Sequence, residues 1–349
     1  MAKSKQQYVP VVTSTGKPLM PTTPSRAYWL MRYRGARPFW KKGIFCLKLK
    51  RKDGEVQPVA AGCDPGSKME AFTVKSETKT FLNVQTEAIT NVKARLETRR
   101  NLRKNRRSRN TPYRKCRWNR ARSKGWIPPS TRARWDHKVR LLSWLKSIYP
   151  ITILVIEDIA ARTKSGSNAV AWNKSFSPIQ AGKQYGYAEL RKVVPTITKQ
   201  GHETHKSRND LGLAKLKDKM SYRFNAHCVD SWTLAAMEVG GARPDNTAIY
   251  RIKRIEFGRR NLHKQNPLKG GLRRVDGGTI VLPGRGGIRK GDLLRRLKDG
   301  RLFAASGNPE NGLSLHDLRS CKRVAQSIKF KRLLEFQHVC RNRYWFSWA

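Results

Sequence analysis

Acidic residues are scarce in this chain. Its 349 residues carry 24 Asp and Glu against 74 Lys and Arg, a formal net charge of +50. Charge of that size repels itself in the compact state, so it excludes a protein that works without a polyanion to neutralise it. Nucleic acid is the polyanion that draws most of its affinity from Lys and Arg. A membrane surface is the rival, but the chain has no apolar run of transmembrane length and opens on no signal peptide, so no membrane role is expected. Paired cysteines are missing too. Cys46, Cys63, Cys116, Cys228, Cys321 and Cys340 form no C-x-x-C, which argues against a structural zinc site. Their wide spacing, without a secretion signal, points to reduced thiols in a cytoplasm. Apolar residues are thin, at 38%, which leaves enough for one main core with accessories, and the length allows two or three small domains.

Residues 1–53 read as a small basic module. Pro18 to Pro24 look like turn material, a helix follows over 25–34 with Ser25 as its N-cap, and 44–50 reads as a strand. Three strand-like runs come next, VQPVAAGCD, EAFTVKSE and KTFLNVQTEAI, with turns at Gly66-Ser67 and Glu77-Thr78. An antiparallel meander is their simplest pairing. Residues 91–125 then change character. Arg95, Arg99, Arg103 and Arg106 recur at helical spacing with Arg100 and Arg107 beside them, and Glu97 is the lone acid. Leu96 and Leu102 give little apolar anchoring. Two readings stand: a helix over about residues 90–109 stabilised by bound phosphates, or a solvated basic tail.

Downstream, 131–149 is an amphipathic helix with Trp135, Val139, Leu142 and Leu145 on one face, stopped by Pro150. The apolar run ITILVIED, 151–158, suits a strand buried on both faces and ends in two acids. Residues 159–220 are polar, with one helix near 187–194; GHETH, with His202 and His205, reads as surface loop. FNAHCVDSWTLAAMEVG, 224–240, is an Ala-rich helix closed by Gly240 and Gly241. Beyond it, short strand-like segments between Gly-rich turns predict a small barrel or twisted sheet.

The few acids fall at informative places. Asp64 ends the first strand of the meander, Glu157 ends the strand after the amphipathic helix, and Asp230 lies on the later helix with His227 three residues before it. A mixed sheet could gather them at one edge. Phosphodiester hydrolysis needs water to attack an already negative phosphate, and carboxylates can hold two Mg²⁺ ions for that purpose. Each acid also has a plain structural role open to it. Asp64 before Pro65-Gly66 suits a turn, Glu157 or its neighbour Asp158 could pair with an Arg, and Asp230 could cap or salt-bridge.

The ordered set GCDPGSK, ILVIED and HCVD resembles the three motifs of the split RuvC nuclease in the IscB/IsrB group, transposon-encoded relatives of the CRISPR type II effector. KPLMP, residues 17–21, resembles the signature of that group's N-terminal PLMP domain, and the Arg-rich segment sits where the group keeps its bridge helix. No Cys pair or Asp-His dipeptide between the second and third motifs suits an HNH insert, so the resemblance is to the HNH-less form, IsrB.

The resemblance implies a mixed α/β fold: an RNase H-like RuvC domain split by the bridge helix, with a PLMP module before it and a β-rich module after it. The implied boundaries are 1–53 for the PLMP domain, 54–90 for RuvC part I, 91–125 for the bridge helix, 126–240 for RuvC parts II and III, and 241–349 for a domain contacting the target-adjacent motif and RNA. The implied activity is nicking of the displaced DNA strand, directed by a guide ωRNA on double-stranded DNA with a target-adjacent motif, by a monomeric protein in a ribonucleoprotein. Asp64, Glu157 and Asp230 would hold two Mg²⁺ ions, with His227 aiding the attacking water. Arg95, Arg99, Arg100, Arg103, Arg106 and Arg107 would grip RNA phosphates. The alternative is a non-catalytic RNA-binding protein of ribosomal or chaperone type, whose acids are structural. A stand-alone junction resolvase would need no guide.

Overall fold

A computed structural model describes residues 6–108, 126–158, 178–218, 220–254, 262–268, 271–278, 280–281, 287–308, 312–318, 320, 322–328, 335–340 and 344–348. The first module is a four-stranded sheet of β1 (Val9–Val12), β2 (Pro18–Thr22), β3 (Arg37–Lys41) and β4 (Ile44–Lys48), in the order β2-β1-β4-β3, with helix α1 (Pro24–Tyr33) between β2 and β3. The proline-rich stretch expected as turn material is the edge strand β2, a place that tolerates prolines because part of an edge ladder needs no N–H donor. Helix α1 starts one residue earlier than expected. Thr23, not Ser25, is the N-cap, and its hydroxyl accepts the Arg26 N–H at 3.4 Å. Pro24 then takes the first helical position, where a missing N–H costs nothing. Lys42 and Gly43, at φ 50° and 84°, make the tight β3–β4 turn. Val9, Val11, Leu19, Ala27 and Leu47 form the module's core.

The meander forms as the three strand-like runs and their turns predict. Strands β5 (Ala60–Asp64), β6 (Met69–Lys75) and β7 (Thr80–Glu87) pair antiparallel in sequence. Helices α2 (Val92–Arg107) and α3 (Pro129–Lys146) follow, then β8 (Ile153–Asp158), α4 (Pro178–Val193), β9 (Thr196–Gln200), α5 (Gly201–Asp210), α6 (Cys228–Val239) and β10 (Ile249–Arg254). Strand β8 lies parallel to β5, β9 parallel to β8, and β10 parallel to β7. Only β6 runs against its neighbours among these six, and the run β7-β6-β5-β8-β9 is the mixed sheet of an RNase H-like fold. Helix α4 is longer than the turn or two expected near residue 187. The GHETH stretch is the start of α5, not a loop: Gln200 and Glu203 close a capping box, although His202 and His205 do lie exposed.

Strands β5, β6 and β7 are buried on both faces because helices cover both. On one face, Lys138 and His137 of α3 reach Glu70 and Thr86. On the other, α6 lies directly on β5. A side chain at Gly62 would place its β-carbon 1.8 Å from the Ser231 carbonyl oxygen, so only glycine lets the helix come this close. The contact is then tied by Thr73 and Ser231 hydroxyls 2.8 Å apart and by Trp232 Nε1–H donating to Thr80 Oγ1 at 2.9 Å. Among the described residues no helix is long and apolar enough to cross a membrane.

The chain divides into two compact units, Met1–Ile252 with Phe346–Ala349, and Lys253–Trp345. The second is β-rich, as its segments predict. It contains hairpins of β11 (Leu262–Leu268) with β12 (Gly271–Gly278) and of β13 (Ile280–Val281) with β14 (Gly287–Ile288). Strands β15 (Leu293–Arg296), β16 (Leu302–Asn308), β17 (Gly312–Asp317), β18 (Arg323–Ile328) and β19 (Phe336–Cys340) make an antiparallel sheet around Leu294, Phe303, Leu313 and Phe336. The final strand, β20 (Tyr344–Trp348), joins the large sheet next to β10.

Candidate active site

Asp64 is the last residue of β5, at the end where the parallel strands β5 and β8 both finish. It does begin a turn: the Gly66 N–H donates to its carbonyl at 3.1 Å. Yet the turn uses only the backbone. The carboxylate points elsewhere, and Oδ2 accepts from His227 Nδ1 at 3.1 Å, with both residues buried. His227 is not within α6 but at its N-cap, one residue before the first helical turn.

Glu157 comes to the same place by register. Cys63 pairs with Ile156 across β5 and β8, so the next residues along, Asp64 and Glu157, stand side by side on the face that α6 covers. The Glu157 carboxyl is pushed up to about 7, first by burial and then by the negative charges of Asp64 and Asp230; Lys215 pulls it back only in part. Asp230 stands in the first turn of α6 and is 2% exposed. The three acids are thus mutually close although 93 and 73 positions separate them along the chain.

Two basic residues that sequence reasoning did not single out complete the cluster. Arg208 of α5, itself buried, donates from Nη1 to Asp230 Oδ1 at 2.5 Å, and Lys215 pairs with Oδ2. Both lie in a stretch dense with Lys and Arg, where nothing marks one cation from the next.

Alternation sends the neighbouring acids to the other face. Asp158 pairs with Lys183 of α4 at 2.5 Å and, with burial, pushes the Tyr187 phenol up. Glu70 is fully buried and accepts from Lys138 Nζ at 2.6 Å; burial pushes its carboxyl up against the pull of that lysine. These are structural pairs of the kind open to each acid, and within the candidate triad Asp230 too is salt-bridged, to Arg208 and Lys215.

Three carboxylates suit a hard divalent cation, which takes oxygen ligands. The weakened acidity of Glu157 bears on it: burial raises this carboxyl first, and the charges of Asp64 and Asp230 raise it further. The side-chain arrangement is not that of a finished metal site. Among the described residues no group of three or more His, Cys, Asp or Glu side chains is set to hold an ion, and Asp230 is paired with Arg208 and Lys215. Carboxylate oxygens are the donor type such an ion takes, and Lys215, which pairs with Asp230, is 42% exposed at its side chain.

The Arg-rich segment is helical over Val92–Arg107, and residues 109–125 of the implied bridge helix lie outside the described residues. Arg95, Arg99, Arg100, Arg103 and Arg107 are exposed; the side chain of Arg106 lies outside the described set. Leu96 and Leu102, at 40% and 64% exposure, bury no apolar stripe. A helix this cationic, with no packed apolar face, repels itself along its length.

Comparison with known proteins adds the following. The RRXRR protein family model matches residues 9–172. The chain has structural likeness to Thermus thermophilus RuvC in complex with Holliday junction substrate, at 10% identity and a TM-score of 0.27, covering 51% of this chain and 90% of that one. A second Thermus thermophilus RuvC structure gives 11% identity and a TM-score of 0.26 over the same shares. No curated protein matches.

Proposed function

We propose that this chain is an RNA-guided DNA endonuclease that nicks the displaced, non-target strand through one carboxylate site. The observation that carries the reading is the convergence of Asp64, Glu157 and Asp230 from β5, β8 and α6, with the acidity of Glu157 weakened by burial and then by the charges of the other two. Glu70 and Asp158 each pair with one lysine, whereas Glu157 feels the negative charges of Asp64 and Asp230, as it would at a site for a cation.

In this reading Asp64, Glu157 and Asp230 would hold two Mg²⁺ ions, which would supply charge neutralisation at the phosphate and a more acidic water. Asp64 lies between Glu157 on the adjoining strand and His227 at the start of α6. The Asp64 contact fixes the ring of His227, which orients the attacking water or takes its proton. Lys215 leaves Asp230 and moves to a phosphate oxygen of the DNA strand. Arg208, held in place by burial, keeps Asp230 oriented. The exposed arginines of α2 bind the guide ωRNA by its phosphates, and base pairing between that RNA and the target strand reads sequence. The Lys253–Trp345 unit contacts the target-adjacent motif and RNA.

The second reading, a non-catalytic RNA-binding protein, is favoured by one feature: Asp230 already carries two cations, as a structural acid would. The test separates them. The chain is purified with the RNA that accompanies it and given supercoiled DNA matching that RNA, with Mg²⁺. Nicked circles, cut in the displaced strand alone and lost when the guide segment is changed, support the proposal. Linear product from double-strand cuts, or nicking indifferent to RNA, overturns it.

A further inference from the structure

The KPLMP stretch has no part in the chemistry above, yet it shapes a cavity of its own. Met20 and Pro21 form one wall of a hollow of about 480 Å³ in the first module, and Trp29 and Leu30 of α1 form another. Its rim carries Arg26, Arg34, Lys50 and Arg51, all exposed, and no acid lines it. Trp29 is half-buried with its ring toward this rim: the guanidinium carbon of Arg26 lies 4.2 Å from the ring centroid and that of Arg34 5.5 Å. The volume suits a small organic group and the cations suit phosphate. An indole with guanidinium groups beside it suits a flat, aromatic ring with an attached phosphate.

We propose that this cavity holds one unstacked nucleotide of a single strand, its base against Trp29 and its phosphates on Arg34, Lys50 and Arg51. A duplex cannot fill it without unstacking a base, so the site selects single-stranded over paired nucleic acid. Unpaired bases are commonly held in this way, on aromatic rings and guanidinium planes. Exposed Tyr33, tilted against Trp29 at 5.8 Å with Arg32 5.5 Å from its own ring centroid, extends the stacking surface beyond the cavity mouth. The proposal stands apart from the nuclease reading, because a single strand would bind here whether or not the chain cuts DNA.

The test uses the full chain freed of nucleic acid. Single-stranded RNA carrying 5-iodouridine, the matching single-stranded DNA carrying 5-iododeoxyuridine, and the duplexes of each are irradiated with it, and the cross-linked peptides are mapped. The expected cross-link is at Trp29, with the single strands only; whichever of RNA or DNA gives it names the source of the nucleotide. Trp29→Ala should weaken single-strand binding roughly tenfold and leave duplex binding within twofold. Arg34→Ala is at the surface and threatens no fold; it should weaken single-strand binding and flatten its salt dependence. Cross-links confined to Tyr28 or Trp40, or single-strand affinity within twofold of wild type in both variants, would overturn the proposal.

Discussion

Glu157→Gln should stabilise the free protein at neutral and alkaline pH. Folding places this carboxyl where its proton leaves near 7 instead of at the ordinary 4.5. At ~1.36 kcal/mol per tenfold change in acidity, full burial would make that roughly 3 kcal/mol. The side chain is partly open to solvent, and screening reduces the effect to about 1–2 kcal/mol. The sign follows from proton counting. Between 4.5 and 7 the folded chain holds a proton that the unfolded chain has lost, so stability falls as pH rises across that window, and the whole penalty is present above 7. The amide carries no charge and escapes it. Urea midpoints in EDTA should therefore favour Glu157→Gln at pH 8 and show no difference at pH 4. Saturating Mg²⁺ should then raise the wild type more than the variant, because only the wild type keeps the full ligand set. A variant less stable than wild type at pH 8 in EDTA, or a gain equal at both pH values, would refute the reasoning.

Other expectations follow from the packing. Lys138→Met should leave Glu70 buried and unpaired and cost about 3–5 kcal/mol in thermal unfolding, while the Glu70→Gln, Lys138→Met pair should recover most of that loss. Gly62→Ala forces α6 away from β5 by more than an ångström; overpacking of this kind costs about 1–3 kcal/mol, and cleavage should fall further than stability because Asp230 and His227 ride on that helix. Changing Arg95, Arg99 and Arg103 together to Ser should leave the melting temperature unchanged and lower the salt slope of RNA binding by about two to three, at ~0.7–0.9 for each phosphate no longer neutralised. A full-strength slope in that variant would exclude α2 from the RNA interface.

Much of the fold could be read from local pattern. The meander, the buried strand β8 and the Ala-rich helix α6 announce themselves because burial on both faces, or on one face of a helix, leaves an apolar period in the sequence. The acids stood out for the same reason: each interrupts or ends an apolar run. Edge and connecting elements were harder. Strand β2 holds Pro18 and Pro21 and lies at a sheet margin, and β9 with α5 is polar, since each faces solvent on one side. The cationic partners of Asp230 were invisible because Arg208 and Lys215 are chosen by the fold from a crowd of like residues. The Trp29 cavity left a trace only in hindsight, since KPLMP looks like turn material until β2 and α1 fold over it.

The central claim is that Asp64, Glu157 and Asp230 act as one hydrolytic site, and single substitutions of each to Ala test it most directly. Each variant is purified with its RNA and given matched, end-labelled duplex with Mg²⁺, and cutting of the displaced strand is timed beside RNA and DNA binding. The account predicts that all three lose cutting by at least a thousandfold, roughly 4 kcal/mol, while binding of both nucleic acids stays within a few-fold. Cutting within tenfold of wild type in any one of the three would contradict it.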